Sequence, residues 1–122
     1  MIELTLTGRI PSKKNSKRIV KSKKGKLSLV SSINYMKWHK EASMQLKYQK
    51  QAKNRVKQAI KIELEFTFGD KRKTDLTNKA ESVMDLLVDN GTLDGDNWMV
   101  IPEIKLSGTY EKDNFKCFIK IF

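Results

Sequence analysis

Apolar and polar residues alternate with a period of two over Met1–Thr7. Ile2, Leu4 and Leu6 fall on one side, and Glu3, Thr5 and Thr7 on the other. This pattern predicts a half-buried strand, ended by Gly8 and Pro11. The alternation is clearest over Ile60–Phe68, where Ile60, Ile62, Leu64, Phe66 and Phe68 share a side. One face of that strand is expected to pack on helices and the other to meet solvent or a partner. Trp98–Ser107 predicts a third strand, with Pro102 near an edge. Phe115–Phe122 predicts a fourth, after a turn over Tyr110–Asn114.

Two stretches change to helical spacing. From an N-cap at Ser31 or Ser32 to about Lys53, the residues Tyr35, Trp38, Ala42, Leu46 and Gln49 recur every three or four positions. From Asp75–Asn78 to Asn90, the residues Leu76, Ala80, Val83, Met84 and Leu87 make an apolar stripe, with Gly91 suited to a left-handed C-cap. Asp75, Asn78, Glu81, Asp85 and Asp89 lie on the opposite side of that helix. Between the first strand and the first helix, Ser22–Gly25 has the composition of a turn, with Arg18–Lys21 pairing against Lys26–Val30. The sum is an α+β fold: a single small domain over residues 1–122, with a mixed sheet of about four strands, two main helices and a flexible basic loop or hairpin.

Charge adds a partner to this outline. The formal net charge of the 122 residues is +11, which points to nucleic acid. An anionic membrane surface fits less well, because no long helix pairs a basic face with a large apolar one. The charge is also unevenly spread. Arg9–Lys61 holds seventeen Lys or Arg and one carboxylate, whereas Asp75–Asp96 holds six carboxylates and one cation. Lys37, Lys40, Lys47, Lys50 and Lys53 make a plausible phosphate track on the first helix, and the lysine-rich arm after Pro11 a second grip. No run is long enough for a membrane span. A lone cysteine, Cys117, reads as buried filler and fits a reducing cytosol, so a cytoplasmic location is expected. His39 lacks Cys, Asp or His neighbours at ligand spacing and reads as a helix-surface residue.

An acidic cluster on a basic protein suggests phosphodiester chemistry. Hydrolysis needs a nucleophilic water, neutralisation of charge on the phosphate and help for the leaving oxygen. Two Mg²⁺ or Mn²⁺ ions about 4 Å apart supply all three when carboxylates hold them. Asp75, Glu81, Asp94 and Asp96 come from separate points of the chain, as such ligands must. An acidic stripe of this kind is more often a solvated helix face, and an Asp-Gly-Asp turn is common with no metal bound. The residues alone leave both readings open.

The motif narrows the choice. Asp75-Leu-Thr-Asn78, then Met84-Asp85-Leu-Leu87, then Gly91-Thr-Leu93-Asp-Gly-Asp96, together with Pro11-Ser12-Lys13-Lys14-Asn15-Ser16, resembles the RusA family of Holliday-junction resolvases, small endodeoxyribonucleases common in phages and prophages. The resemblance covers nearly the whole chain. It implies a Mg²⁺-dependent (or Mn²⁺-dependent) homodimer that resolves four-way DNA junctions in recombination and repair. It makes Asp75 the first metal-ligand aspartate, Asn78 the motif asparagine and Asp96 the catalytic aspartate of the turn. Two positions depart: Thr77 stands where the family has a second aspartate, and Glu81 where it has a catalytic lysine. In the turn, Gly95 replaces the first of two adjacent aspartates. On this reading Asp75, Glu81 and Asp96 are catalytic and hold metal, with Asp94 as helper. Lys13, Lys14, Asn15, Lys17, Arg18, Lys71, Arg72, Lys73, Asn78 and Lys79 contact DNA. Lys79, Lys73 or the basic arm replaces the missing lysine. The alternative is a junction-binding protein that has lost its metal site. A weaker third reading is RNA binding through Tyr35, Trp38 and Tyr48.

Overall fold

The segments of period two come together as one sheet in the computed structural model, which describes residues 1–12 and 17–122, apart from the side chains of 17, 18 and 28–31. The strands are β1 (Ile2–Thr7), β2 (Lys17–Lys21), β3 (Leu27–Ser31), β4 (Ile62–Phe68), β5 (Ile104–Tyr110) and β6 (Lys116–Ile121). The helices are α1 (Ile33–Lys47) and α2 (Leu76–Asp89), with a 3-10 turn at Lys50–Lys53. The four-stranded sheet runs β1-β6-β4-β5, and β2-β3 is the separate hairpin that the turn at Ser22–Gly25 predicts. β6 is antiparallel to both neighbours and β4–β5 is parallel, so the sheet is mixed and the fold is the α+β domain expected.

Alternation decides which face is covered. Leu4, Leu6, Ile62, Leu64, Phe66, Cys117 and Ile119 are all at most 2% exposed, and they meet Leu46, Val83, Leu86 and Leu87 from the helices. α1 lies along β1 and α2 along β5. The other face is wet and carries ion pairs, Lys105 and Lys61 with Glu63, and Lys120 with Glu65. Burial pushes the Cys117 thiol up to about 12, in keeping with its reading as inert filler.

Among the described residues β1 is an edge strand whose outer backbone groups have no strand partner, and three glutamines take that place. Gln45 Oε1 accepts the Thr7 amide at 2.8 Å, Gln49 Oε1 the Thr5 amide at 2.8 Å, and Gln51 Oε1 the Glu3 amide at 2.7 Å. Gln45 and Gln49 return their own amides to the Thr7 and Thr5 carbonyls at 3.0 and 2.7 Å. Side chains thus imitate a neighbouring strand and close the edge to other chains.

That arrangement explains where α1 stops. The apolar spacing runs to about Lys53, but the helix ends at Lys47, with Ser32 as its N-cap and Tyr48 as its C-cap. Gln49 is extended (φ −99°, ψ 113°), and its amide reaches Thr5.

The third expected strand is also shorter at its start. Trp98–Val100 is a turn held by Asn97, whose carbonyl accepts the Val100 and Ile101 amides, and β5 begins only at Ile104. Pro102, with no amide to donate, marks the break. Ile60, expected inside β4, lies before it and is 73% exposed. His39 is more than a surface residue: its Nε2 lies 2.8 Å from Asp89 Oδ2 and ties α1 to α2. Lys13, Lys14 and Asn15 lie outside the described residues.

Gln49→Ala removes both partners of the Thr5 backbone. It is expected to lower stability by about 1–3 kcal/mol, read as a lower urea midpoint. An unchanged midpoint would show that water replaces the glutamine at no cost.

Candidate active site

An aspartate just before a helix ordinarily turns its carboxylate onto the first amides of the helix. Asp75 occupies the N-cap of α2 in extended conformation (φ −84°, ψ 124°) but makes no side-chain capping bond. Its Oδ2 accepts from Asn78 Nδ2 at 3.3 Å, and the residue is exposed. The carboxylate is therefore not consumed by the helix and is open to a ligand.

The start of α2 is anchored on the loop after β1. Lys79 Nζ donates to the Ile10 carbonyl at 2.5 Å, and the buried Ser82 Oγ donates to the Pro11 carbonyl at 2.7 Å. Desolvation, and then the neighbouring charge of Arg9, holds the Lys79 ammonium below its ordinary pKa, with Asp70 opposing. These bonds set the rotation of the helix. Thr77, Glu81 and Met84 are thereby turned toward β5.

The far end of α2 is set by its C-cap. Gly91 takes φ +74°, the left-handed conformation expected of it, and the Thr92 amide returns to the Leu87 carbonyl. Leu93 then pairs with Val56 in an isolated bridge, and the Asp94 amide donates to the Val56 carbonyl. The chain is thus carried back along the helix, which brings Asp96 beside Glu81.

Two adjoining cavities result along the edge strand β5. In the first, of about 390 Å³, Thr77, Glu81 and Asp96 face Ile104 and Leu106. In the second, of about 700 Å³, Asp75 and Asn78 stand with the connector Asp70–Thr74 on one side and Gly108–Tyr110 on the other. The Leu76 side chain reaches Gly108 between them. A Cβ on that glycine would lie 3.1 Å from Leu76 Cδ2, so glycine is what lets the helix start come this close.

The expected site residues therefore divide. Glu81 and Asp96 share a cavity, and Asp75 opens on its neighbour. Asp94 is held by Arg55, whose Nε donates to its Oδ1 at 2.8 Å. Among the described residues, no group of three His, Cys, Asp or Glu is gathered in position to hold a metal ion. Lys71, Arg72 and Lys73 are exposed on the connector, with Lys71 Nζ 5.1 Å from the Tyr110 ring. Lys17 and Arg18 lie on β2, and their side chains are outside the described residues.

Arg9, Asp70, Phe115 and Lys116 gather beside the connector without any signal in the motif. Arg9 pairs with Asp70 at 2.9 Å, and its guanidinium lies 4.4 Å above the Phe115 ring. They are contributed by three distant segments, and only the strand order brings them together.

The acidic helix, the returning turn and the basic connector all fall within one stretch that matches a known family. A search among curated proteins returns no match. A family model described as endodeoxyribonuclease RusA matches residues 9–121, which takes in both helices and every strand but β1. The chain belongs to the RusA endodeoxyribonuclease family.

Proposed function

We propose that the protein is a divalent-metal-dependent endonuclease that resolves four-way DNA junctions as a homodimer. The carrying observation is that Thr77, Glu81 and Asp96 line one cavity, with Asp75 uncapped in the next. The donors there are all hard oxygens, which suits Mg²⁺ or Mn²⁺. Mg²⁺ commonly takes only one or two protein carboxylates and completes its shell with substrate phosphate and water. Two carboxylates in a cavity and a third beside it therefore fit such an ion.

Glu81 and Asp96 are the residues that would hold it, with Asp75 the donor at the other end of the groove. Such an ion makes water a stronger nucleophile and offsets charge on the phosphate. The chain's own groups do the rest. Lys71, Arg72 and Lys73 draw the phosphate backbone to the groove mouth, and Asn78 holds the Asp75 carboxylate in place. The basic hairpin and the lysines of α1 extend the grip to the junction arms.

A homodimer suits symmetric cutting, because a two-fold protein presents one site to each of two strands. The exposed Trp98, Met99 and Ile104 beside the groove offer apolar surface for a second copy. The setting proposed for this work is the cytoplasm of a bacterial or phage-infected cell. The second reading, a junction binder without catalysis, draws on the absence of a three-residue ligand group among the described residues.

Cleavage of a synthetic four-way junction in Mg²⁺ or Mn²⁺ separates the two readings. Asp75→Asn and Asp96→Asn are each expected to lower the cutting rate about 10²-fold or more while junction binding persists. Wild type that cuts no faster than these variants supports the binder.

Glu81→Gln is expected to cost a comparable factor. The double change Thr77→Asp with Glu81→Lys, which restores the family's residues, should recover activity that Glu81→Lys alone lacks. Cutting by Glu81→Gln at the wild-type rate would remove Glu81 from its proposed role. Light scattering behind gel filtration should give twice the 14.1 kDa chain mass, and a monomer at micromolar concentration would refute the dimer.

A further inference from the structure

We infer that the cavity between the end of β1, the β4–α2 connector and the start of β6 is a preformed site for one backbone phosphate of the DNA strand, separate from the carboxylate groove; this rests on the nuclease reading above. The cavity, of about 270 Å³, is lined by Arg9, Arg72, Lys73, Lys79 and Lys116 against one carboxylate, Asp70.

That carboxylate is already in use. Asp70 Oδ2 lies 2.9 Å from Arg9 Nη2, and its Oδ1 accepts the Arg72 amide at 3.1 Å. The Arg72 amide above all, helped by Arg9, holds the Asp70 carboxyl below its ordinary pKa against a desolvation that opposes it. It stays charged at neutral pH, and its single charge faces five cations. Among the described residues Lys79 donates to a neutral group, the Ile10 carbonyl, and Asp70 acts on it through charge alone. Lys79 is partly buried and the other four cations are exposed; gathered against a single carboxylate they repel one another, and an anion entering among them relieves the repulsion.

The donors are also held in place before any ligand arrives. Arg9 is clamped between Asp70 and the face of Phe115. Phe115 closes so far in because residue 69 is glycine: a Cβ there would sit 2.5 Å from its ring. A guanidinium with its rotation restricted presents a planar fork that matches two phosphate oxygens.

The position of the cavity argues for a phosphodiester of DNA over a free anion. It shares Phe68, Asp70, Arg72, Lys73 and Thr74 with the Asp75 end of the groove. A strand whose scissile phosphate lies in the groove meets this cavity next along its backbone. Arg9 is then a positioning residue that sets the register of the strand relative to the carboxylates.

The test measures junction affinity in Ca²⁺, used so that binding is read apart from cutting, across a salt series. Arg9→Gln is compared with Lys57→Gln, which removes the same charge from an exposed loop elsewhere. Arg9→Gln should weaken binding about tenfold and reduce the salt slope by about one, with Lys57→Gln close to wild type and Arg9→Lys intermediate. A second readout titrates inorganic phosphate and follows the backbone amides of Phe115 and Lys116 by NMR. They should shift saturably with phosphate in wild type and not in Arg9→Gln. Equal effects of Arg9→Gln and Lys57→Gln, or Phe115 and Lys116 amides indifferent to phosphate, would overturn the inference. Neither readout involves cleavage. Loss of the nuclease reading would leave an Arg9-dependent phosphate response standing, and loss of the phosphate site would leave the effects of Asp75→Asn and Asp96→Asn intact.

Discussion

Two hydrogen-bonded parallel strands cannot be joined by a tight turn. β4 and β5 pair from Ile62 with Ile104 to Phe68 with Tyr110, so the chain leaving the end of β4 must travel back to the start of β5. α2 is that crossover, and the site is a consequence of it. The helix begins where β4 ends, which puts Asp75 beside the basic connector. The return from its C-terminus runs back along it, which puts Asp96 beside Glu81. A β4–β5 hairpin would give neither placement.

The crossover works only if the helix is held at one rotation. Val83, Leu86 and Leu87, all buried, fasten one side to the sheet, and Lys79 and Ser82 fasten another to the carbonyls of Ile10 and Pro11. What remains free is the strip carrying Thr77 and Glu81. The glutamines on β1 contribute at a distance. They close one edge of the sheet, so that among the described strands β5 is the edge left open, and the groove lies along it. The wet sheet face, with its lysine–glutamate pairs, has no such concentration of one sign. The Asp75 end of the groove and the cationic cavity sit side by side at the C-terminal end of β4, and Asp70, Arg72, Lys73 and Thr74 of the connector line both.

Much of this is legible in the residues. Strong alternation in β1, β4 and β6 and the apolar stripe of α2 name those elements, and Gly91 marks a helix end by the one conformation it supplies without strain. The hairpin follows from its turn. The misreadings share a cause. Apolar spacing continues past Lys47 and before Ile104, but long-range bonds decide those stretches: Gln49 reaching Thr5 in one, the Asn97 turn in the other. His39 and Asp89 are fifty residues apart and show no mutual signal. The acidic residues of the candidate site are legible in sequence because spacing on a single helix and its following turn is local. The Arg9, Asp70 and Phe115 cluster was invisible because three segments converge there only after the sheet has formed.

Helix geometry also bears on the two departures from the family's pattern. At 3.6 residues per turn, positions 77 and 81 lie about 40° apart around the axis and about 6 Å along it, whereas 75 and 81 lie about 120° apart. A carboxylate moved from 77 to 81 thus stays on the same strip of the helix, and the glutamate side chain, one methylene longer than aspartate, covers part of the axial shift. The lysine lost at 81 has no such neighbour, since Lys79 is turned about 160° from it and is held on the Ile10 carbonyl. Positive charge reaches the groove instead from the connector, at the Asp75 end. The exchange therefore keeps the acidic strip and leaves the cations at the start of the helix, on the connector Asp70–Thr74.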